Sequence, residues 1–251
     1  MNRFIWTLSG ATGSGKSFLW KQLTGHFTTP VFCLDRVADL TNVGLSFNSA
    51  EHLRQYLIAS MQRKVDAPEN GTYVIDGGKG ASGPVGCTIE SGKALLELVW
   101  RTKMSCTIVL DEAHNWASQR DFNGHLDQII REGRHHGISI VACTRRPQQL
   151  GKVLIGESML SIFEHHDKPA RDRAADALGP HVDPHDLAKL KPQEYLLGGR
   201  TAMVGDQIKE LLTGGEAERP NAENVYTWNE GIGHAEAVQA VDPRENIPET
   251  A

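Results

Sequence analysis

No apolar run in this sequence approaches the ~18–20 residues that a membrane span needs, so the chain is not expected to cross a membrane. Cysteine is scarce. Four occur in 251 residues, with no CxxC pair, which argues against a disulfide framework and against a zinc ribbon. Cys33, Cys106 and Cys143 sit in apolar, strand-like runs, where a buried free thiol is the expected state. That usage fits a reducing, cytosolic setting. The opening residues MNRFIWTLSG lack the long apolar core and cleavage site of a secretory signal. No internal repeat is present. Histidines occur as His135–His136, His165–His166 and His181-x-x-x-His185, with no Cys or acidic partner at metal-ligand spacing. A metal site is not expected, and His135, His136 and Arg134 could instead line a subunit interface or a DNA channel.

Charge is unevenly spread. The formal net charge is −5, yet residues 214–251 hold eight Asp or Glu against two Arg, a net −6. The remaining residues carry 24 basic and 23 acidic groups. The tail is rich in Gly, Pro, Ala, Asn and Glu and has little apolar periodicity, so it reads as extended or partly disordered. Val225, Tyr226 and Trp228 could dock locally. Such a tail discourages unspecific nucleic-acid binding but has no bearing on a small basic channel elsewhere. The length suits one sizeable core, giving a main domain over 1–205 and an acidic extension over 206–251.

Strands and helices alternate along the body. FIWTLSG, VFCLD, TYVIDG, CTIVLDEA, GISIVACT, MLSIFEH and EYLLGG read as strands. Helical stretches lie between them: SFLWKQLTGH, SAEHLRQYLIASMQRK, SGKALLELVWRTKM, NGHLDQIIREGRHH, PQQLGKVLI and KPARDRAADAL. The expected fold class is α/β, a mainly parallel sheet with helices on both faces. Ligands of such sheets bind beyond the carboxyl ends of the strands.

The first strand runs into GATGSGKS, residues 10–17, which satisfies G-x-x-x-x-G-K-[ST]. Gly10, Gly13 and Gly15 let the backbone curl so that successive N–H groups face a β-phosphate. Lys16 opens the next helix and can reach the β- and γ-phosphates, while the Ser17 hydroxyl is placed to ligate Mg²⁺. The nucleotide-binding run is Gly10, Ala11, Thr12, Gly13, Ser14, Gly15, Lys16, Ser17 and Phe18. A second glycine-rich stretch, DGGKGASGPVG at 76–86, lacks a GK[ST] at the right distance and reads as a loop that could carry Lys79 toward a substrate.

CTIVLDEAH, residues 106–114, ends a strand in two adjacent carboxylates. Asp111 is placed to hold Mg²⁺ through water or through Ser17. Glu112 could orient and deprotonate an attacking water. His114 is expected to support by hydrogen bonding. The letters DEAH also spell a helicase box, but the chain has no room for the second motor domain that class needs. GISIVACT comes one helix later, so Thr144 and Arg145 at its end belong where the γ-phosphate is sensed.

Arg131 and Arg134 precede that strand, three residues apart, and would share a face. Eight strand residues extend ~26 Å, too far for them to reach their own subunit's nucleotide. Either they complement the C-terminal end of a helix, or one serves as an arginine finger for a neighbouring copy.

The order GATGSGKS, TIVLDEAH, helix, GRHHGISIVACTRRP resembles the FtsK/HerA superfamily of ring-forming, DNA-translocating ATPases. The compact layout is similar to its viral branch, the genome-packaging ATPases of internal-membrane icosahedral viruses. The resemblance runs over about residues 3–200 and includes SMLSIFEHHDKPARDRAADALG and LKPQEYLLGG. It implies ATP and Mg²⁺ as cofactors, Lys16 and Ser17 on phosphate and metal, Asp111 as the metal-side acid and Glu112 as the base. It also implies Arg134 as a trans finger, with Arg131 as second choice. Thr144 and Arg145 stand where the family has Thr-Gln. Arginine can only donate, so Arg145 could bind a γ-phosphate oxygen but could not accept a hydrogen bond from the lytic water.

The resemblance implies a homo-oligomeric ring, a hexamer, driving double-stranded DNA into a virion through contacts mostly to phosphates. It would act in the host cytoplasm or at a virion vertex, with a capsid vertex or membrane protein as docking partner. Two alternatives stand beside it: a plasmid or cellular DNA pump of the same superfamily, and an ATP-dependent assembly switch that moves no DNA. A small-molecule kinase is disfavoured, since no acceptor site or Arg-rich lid is apparent.

Overall fold

The apolar, β-branched runs pair into one sheet because each is too uniformly hydrophobic to leave a face in water. The computed structural model describes residues 3–37, 40, 43–62, 70–77, 79–80, 83–84, 86–117, 124–200, 206–213, 224–229 and 234–240. In chain order the elements are β1 (Ile5–Ser9), α1 (Lys16–Leu23), β2 (Val31–Leu34), β3 (Leu45–Phe47), α2 (Ala50–Met61), β4 (Thr72–Ile75), β5 (Lys79–Gly80), β6 (Gly83–Pro84), α3 (Ile89–Thr102) and β7 (Cys106–Leu110). They continue with α4 (His125–Glu132), β8 (Ile138–Thr144), α5 (Lys152–Gly156), β9 (Met159–Phe163), α6 (Lys168–Leu178), β10 (Glu194–Gly199), α7 (Asp206–Thr213), β11 (Asn224–Asn229) and β12 (His234–Ala240).

The ten-stranded sheet runs β12-β11-β10-β9-β1-β8-β7-β2-β4-β3, and β5–β6 form a separate two-stranded ladder. From β9 to β3 every pairing is parallel, whereas β10, β11 and β12 are antiparallel. The expected α/β, mainly parallel sheet is therefore present.

Strand alternation sends successive side chains to opposite faces. Ile108 and Ile140 pack with α3 and α4 residues such as Leu95, Val99 and Ile129. Val109 and Val141 pack on the other face with Leu19, Trp20 and Leu23 of α1. Each fully buried side chain of this kind contributes roughly 1.5–3 kcal/mol. The helices start where short polar residues can cap them. Ser49, Thr88 and Asp167 accept from the backbone N–H groups of His52, Ser91 and Ala170, each cap worth about 1 kcal/mol. All four cysteines are free and buried.

Three local readings are corrected. PQQLGKVLI is not one helix: a single 3₁₀ turn over Pro147–Gln149 ends at Leu150, whose extended ψ of 144° breaks the run, and α5 begins at Lys152. Arg131 and Arg134 do not share one helical face, because α4 ends at Glu132 and a 3₁₀ turn over Gly133–His136 carries Arg134. The tail is not extended throughout: Tyr226, one of the residues that could dock locally, does so. It is buried, stacks on Tyr195 at 6.0 Å, and belongs to a hairpin, β11–β12, that continues the sheet from β10. The Tyr195 hydroxyl also donates to the Leu212 carbonyl of α7 at 3.1 Å. Residues 214–223, 230–233 and 241–251 of the tail, and most of the 76–86 loop's side chains, lie outside the described residues. Among the described residues no helix is long and apolar enough to cross a membrane.

Candidate functional site

Residues 10–15 form a loop between β1 and α1, and α1 begins at Lys16. The loop is pinned by three neighbours. Gly10 N–H donates to the Thr144 carbonyl at 3.1 Å, Ala11 N–H to the Glu164 carbonyl at 2.7 Å, and Gln193 N–H to the Ser14 carbonyl at 2.9 Å. Two glycines are required by this packing. A Cβ on Gly10 would lie 2.6 Å from both Phe163 Cβ and Ser14 Oγ. Gly15 adopts φ +108° and faces the Gln193 backbone, where a Cβ would sit 3.0 Å from Cα. Only a residue without a side chain takes up that conformation freely.

Lys16 Nζ donates to the Gly10 and Ala11 carbonyls, 2.7 Å each, and so lies across the concave side of the loop. Burial lowers the Lys16 pKa, and the nearby Glu112 and Asp111 pull the other way. Thr12, Gly13, Lys16, Ser17, Asp111, Glu112, Thr144 and Arg145 together line one cavity of about 130 Å³. Ala11, Ser14 and Phe18 complete the loop: Ser14 is buried, Ala11 and Phe18 half-buried.

Parallel register brings the acids to this mouth. Ser9 pairs with Thr144 on the last rung of β1–β8, and Leu110 pairs with Ala142 on the last rung of β7–β8. Asp111 and Glu112 therefore emerge beside Cys143 and Thr144. Asp111 is buried, with its N–H donating to the Leu34 carbonyl at 3.1 Å and its carbonyl accepting from Trp116 Nε1 at 2.9 Å. Glu112 takes the left-handed conformation, φ 48° and ψ 55°. A non-glycine residue held there costs about 1–3 kcal/mol and marks sites where a side chain is aimed for a purpose.

The two carboxylate oxygens of Glu112 face different partners. Oε1 is 2.8 Å from Arg145 Nε, and Oε2 is 3.3 Å from His114 Nδ1. His114 Nδ1 is also 3.2 Å from Thr144 Oγ1, which accepts from the Arg146 N–H at 3.0 Å. Burial, then Arg146 and Arg145, lower the His114 pKa to about 4, so its ring is neutral near pH 7.

Arg131 and Arg134 do not join this group. Both lie before β8, whereas Thr144 closes the far end of that seven-residue strand. Arg131 is paired with Asp127 at 2.9 Å. Arg134 is exposed and has no carboxylate partner among the described residues; its Nε is 3.4 Å from His135 Nε2. The buried Arg3 guanidinium lies behind it, donating to the Ile129 and Ile130 carbonyls at the end of α4. Burial lowers the Arg3 pKa to about 10, Glu157 opposes this, and Arg134 adds to it.

Two residues at the site carried no motif. His165 is buried directly after β9, with Nε2 2.9 Å from Ser9 Oγ and its N–H on the Leu187 carbonyl. Gln193 adopts φ 71° where it meets the phosphate loop. An unexpected polar residue at a strand's carboxyl end was the available signal for the first; nothing local marked the second. Among the described residues no three His, Cys, Asp or Glu are grouped to hold a metal. Ser17 and Asp111 offer hard oxygen donors in the phosphate mouth, a set that suits Mg²⁺ better than a softer metal.

A strand–glycine loop–helix with Lys16 in its cradle, facing a strand-end Asp–Glu pair, defines a P-loop NTPase fold. Within that class, the chain matches the genome-packaging NTPase B204 of Sulfolobus turreted icosahedral virus 2, solved with AMPPCP, at a TM-score of 0.58 and 15% identity over 81% of this chain and 95% of that one. The DNA-packaging ATPase B204 of Sulfolobus turreted icosahedral virus gives 0.57 and 17% identity over 81% and 96%. VirB4 of Thermoanaerobacter pseudethanolicus gives 0.55 and 10% over 78% and 87%. The chain shares the fold of these proteins. No protein-family profile and no curated protein matches it.

Proposed function

We propose that this chain is an ATP-driven double-stranded DNA translocase that packages a viral genome as a homo-oligomeric ring. The observation that carries the reading is the convergence of Lys16, Ser17, Asp111, Glu112 and Thr144 on one mouth at the strand ends. Backbone N–H groups of residues 13–18 and Lys16 would bind the phosphates. Ser17 and Asp111 would hold Mg²⁺, which supplies charge neutralisation at the β- and γ-phosphates when bound. Glu112 would take a proton from the attacking water, and Thr144 and Arg145 would sense the γ-phosphate.

Arg134 is the trans finger of this reading, with Arg131 second. Its place at the opposite end of β8 puts it out of reach of its own mouth, and the lack of a carboxylate partner among the described residues leaves it able to meet a neighbour's triphosphate. The ring, a hexamer, would therefore be needed for full turnover. DNA would be held by its phosphates, hence salt-sensitively and without sequence preference. In this reading the ATPase domain covers 1–205 and the acidic extension 206–251, the extension's β11–β12 hairpin adding strands to the domain's sheet, and the protein acts in the host cytoplasm or at a virion vertex beside a capsid or membrane protein. The fold shared with packaging NTPases that were solved with AMPPCP, ATP-γS and AMP supports this choice of nucleotide and task.

The test is ATP hydrolysis by the full chain with and without double-stranded DNA at low salt. Stimulation by DNA of any sequence is expected, declining as salt rises. Hydrolysis indifferent to DNA would leave an assembly switch as the better reading. Transport of DNA without a capsid would favour a cellular or plasmid pump.

A further inference from the structure

Glu112 has to accept a proton from water, yet its Oε1 is held by a cation and its Oε2 is buried without a hydrogen-bond partner among the described residues. The Arg145 guanidinium approaches Oε1 at 2.8 Å, His114 lies 3.3 Å from Oε2, and the Glu112 side chain is 16% exposed. A carboxylate oxygen already engaged by a guanidinium has less lone-pair density to offer a water proton. Arg145 is the looser partner, 46% exposed, and it lines the same mouth as Lys16 and Ser17. Its only carboxylate partner among the described residues is Glu112.

We propose that Arg145 is a positioning residue that holds Glu112 out of use until a γ-phosphate takes Arg145 over. This rests on the ATPase reading above and deepens it. Glu112 and the terminal phosphate are two anions competing for one cation. A triphosphate brings its extra charge within reach of Arg145, the ion pair opens, and the carboxylate becomes free to accept from the water. A diphosphate has no group at that place, so the pair stays closed after product forms. A glutamine at position 145 could hydrogen-bond water but could not make this charge exchange, so the arginine makes the base conditional on the fuel.

The competition is measurable without turnover, by titrating the full-length protein with AMPPCP and with ADP. Glu112→Gln removes the carboxylate, so Arg145 no longer has to leave it. AMPPCP binding is expected to tighten by about two- to fivefold more in the wild-type background than in the R145Q background, the range a half-exposed ion pair supports. ADP affinity is expected to show no such coupling. Equal effects of Glu112→Gln in both backgrounds, or equal coupling for AMPPCP and ADP, overturn the proposal. Circular dichroism melts of each variant separate misfolding from lost coupling. If instead the wild type and Glu112→Gln hydrolyse ATP equally, the ATPase assignment of Glu112 fails; the binding cycle reads Arg145 independently of that result.

Discussion

Ser9 Oγ and His165 Nε2 lie 2.9 Å apart, both buried, at the strand ends from which the phosphate loop departs. Ser9 is the last residue of β1, and His165 follows the Glu164 carbonyl that accepts from Ala11. The contact ties the root of the loop to β9. It also places an ionisable group where there is no water to solvate a charge.

Burial, then the Lys16, His166 and Arg171 charges, lower the His165 pKa from 6.5 to about 4. The unfolded chain therefore binds a proton between pH 6.5 and 4 that the folded chain does not. Stability must fall as pH drops through that window, by up to about 3 kcal/mol for this group. His114 acts in the same direction. The melting temperature is expected to decline from pH 7 to 5, and less steeply in His165→Gln. An equal slope in that variant would show that His165 is not the group responsible.

Lys16→Ala should bring ATP turnover to background and remove the rise in melting temperature that ATP gives the wild type. Lys16 is the cation inside the loop, held by the Gly10 and Ala11 carbonyls. Retained hydrolysis would remove the phosphate-loop assignment.

Glu112→Gln should still bind ATP but turn over about 10²–10⁴-fold more slowly, the usual contribution of a general base. Single-turnover kinetics checks this. An unchanged rate would mean that another group activates the water.

Subunits carrying Arg134→Ala should be slow in a homogeneous assembly. Mixed with Glu112→Gln subunits, they should regain measurable turnover, because some interfaces then join an intact Arg134 to an intact Glu112. Arg131→Ala loses only a surface pair with Asp127, worth about 0.3–0.5 kcal/mol, and should cost little. No rescue at any mixing ratio would argue that Arg134 serves only its own subunit.

Gly15→Ala should destabilise the loop by about 1–3 kcal/mol, since φ +108° is strained for any side chain and the new Cβ meets Gln193. Gly25→Ala serves as the control, having nothing within 4 Å of its added Cβ. Thermal melts should separate the two clearly; equal small shifts would indicate that the loop has room to relax.

Much of this was legible along the chain. GATGSGKS between a strand and a helix, the DE pair closing a β-branched run and the strand–helix alternation are local patterns, since each is dictated by dihedral freedom or side-chain period. The end of α4 at Glu132 is not marked locally, because its apolar face, Leu126, Ile129 and Ile130, shows no break before Gly133. The strand that holds Tyr226 is not marked locally, because short strands in a Gly- and Glu-rich stretch have too little alternation to stand out. Its partner, Tyr195, is thirty-one residues upstream.

The sequence by itself determined that a triphosphate-binding loop would form and which acids would face it, because glycine spacing and strand length act within a few residues. Tertiary structure alone decided that Arg145 turns onto Glu112, that His165 sits under Ser9, and that Gln193 closes against Gly15. Those contacts join residues 33, 156 and 178 positions apart. They exist only because parallel register and the antiparallel return of β10 bring those strand ends to one edge of the sheet.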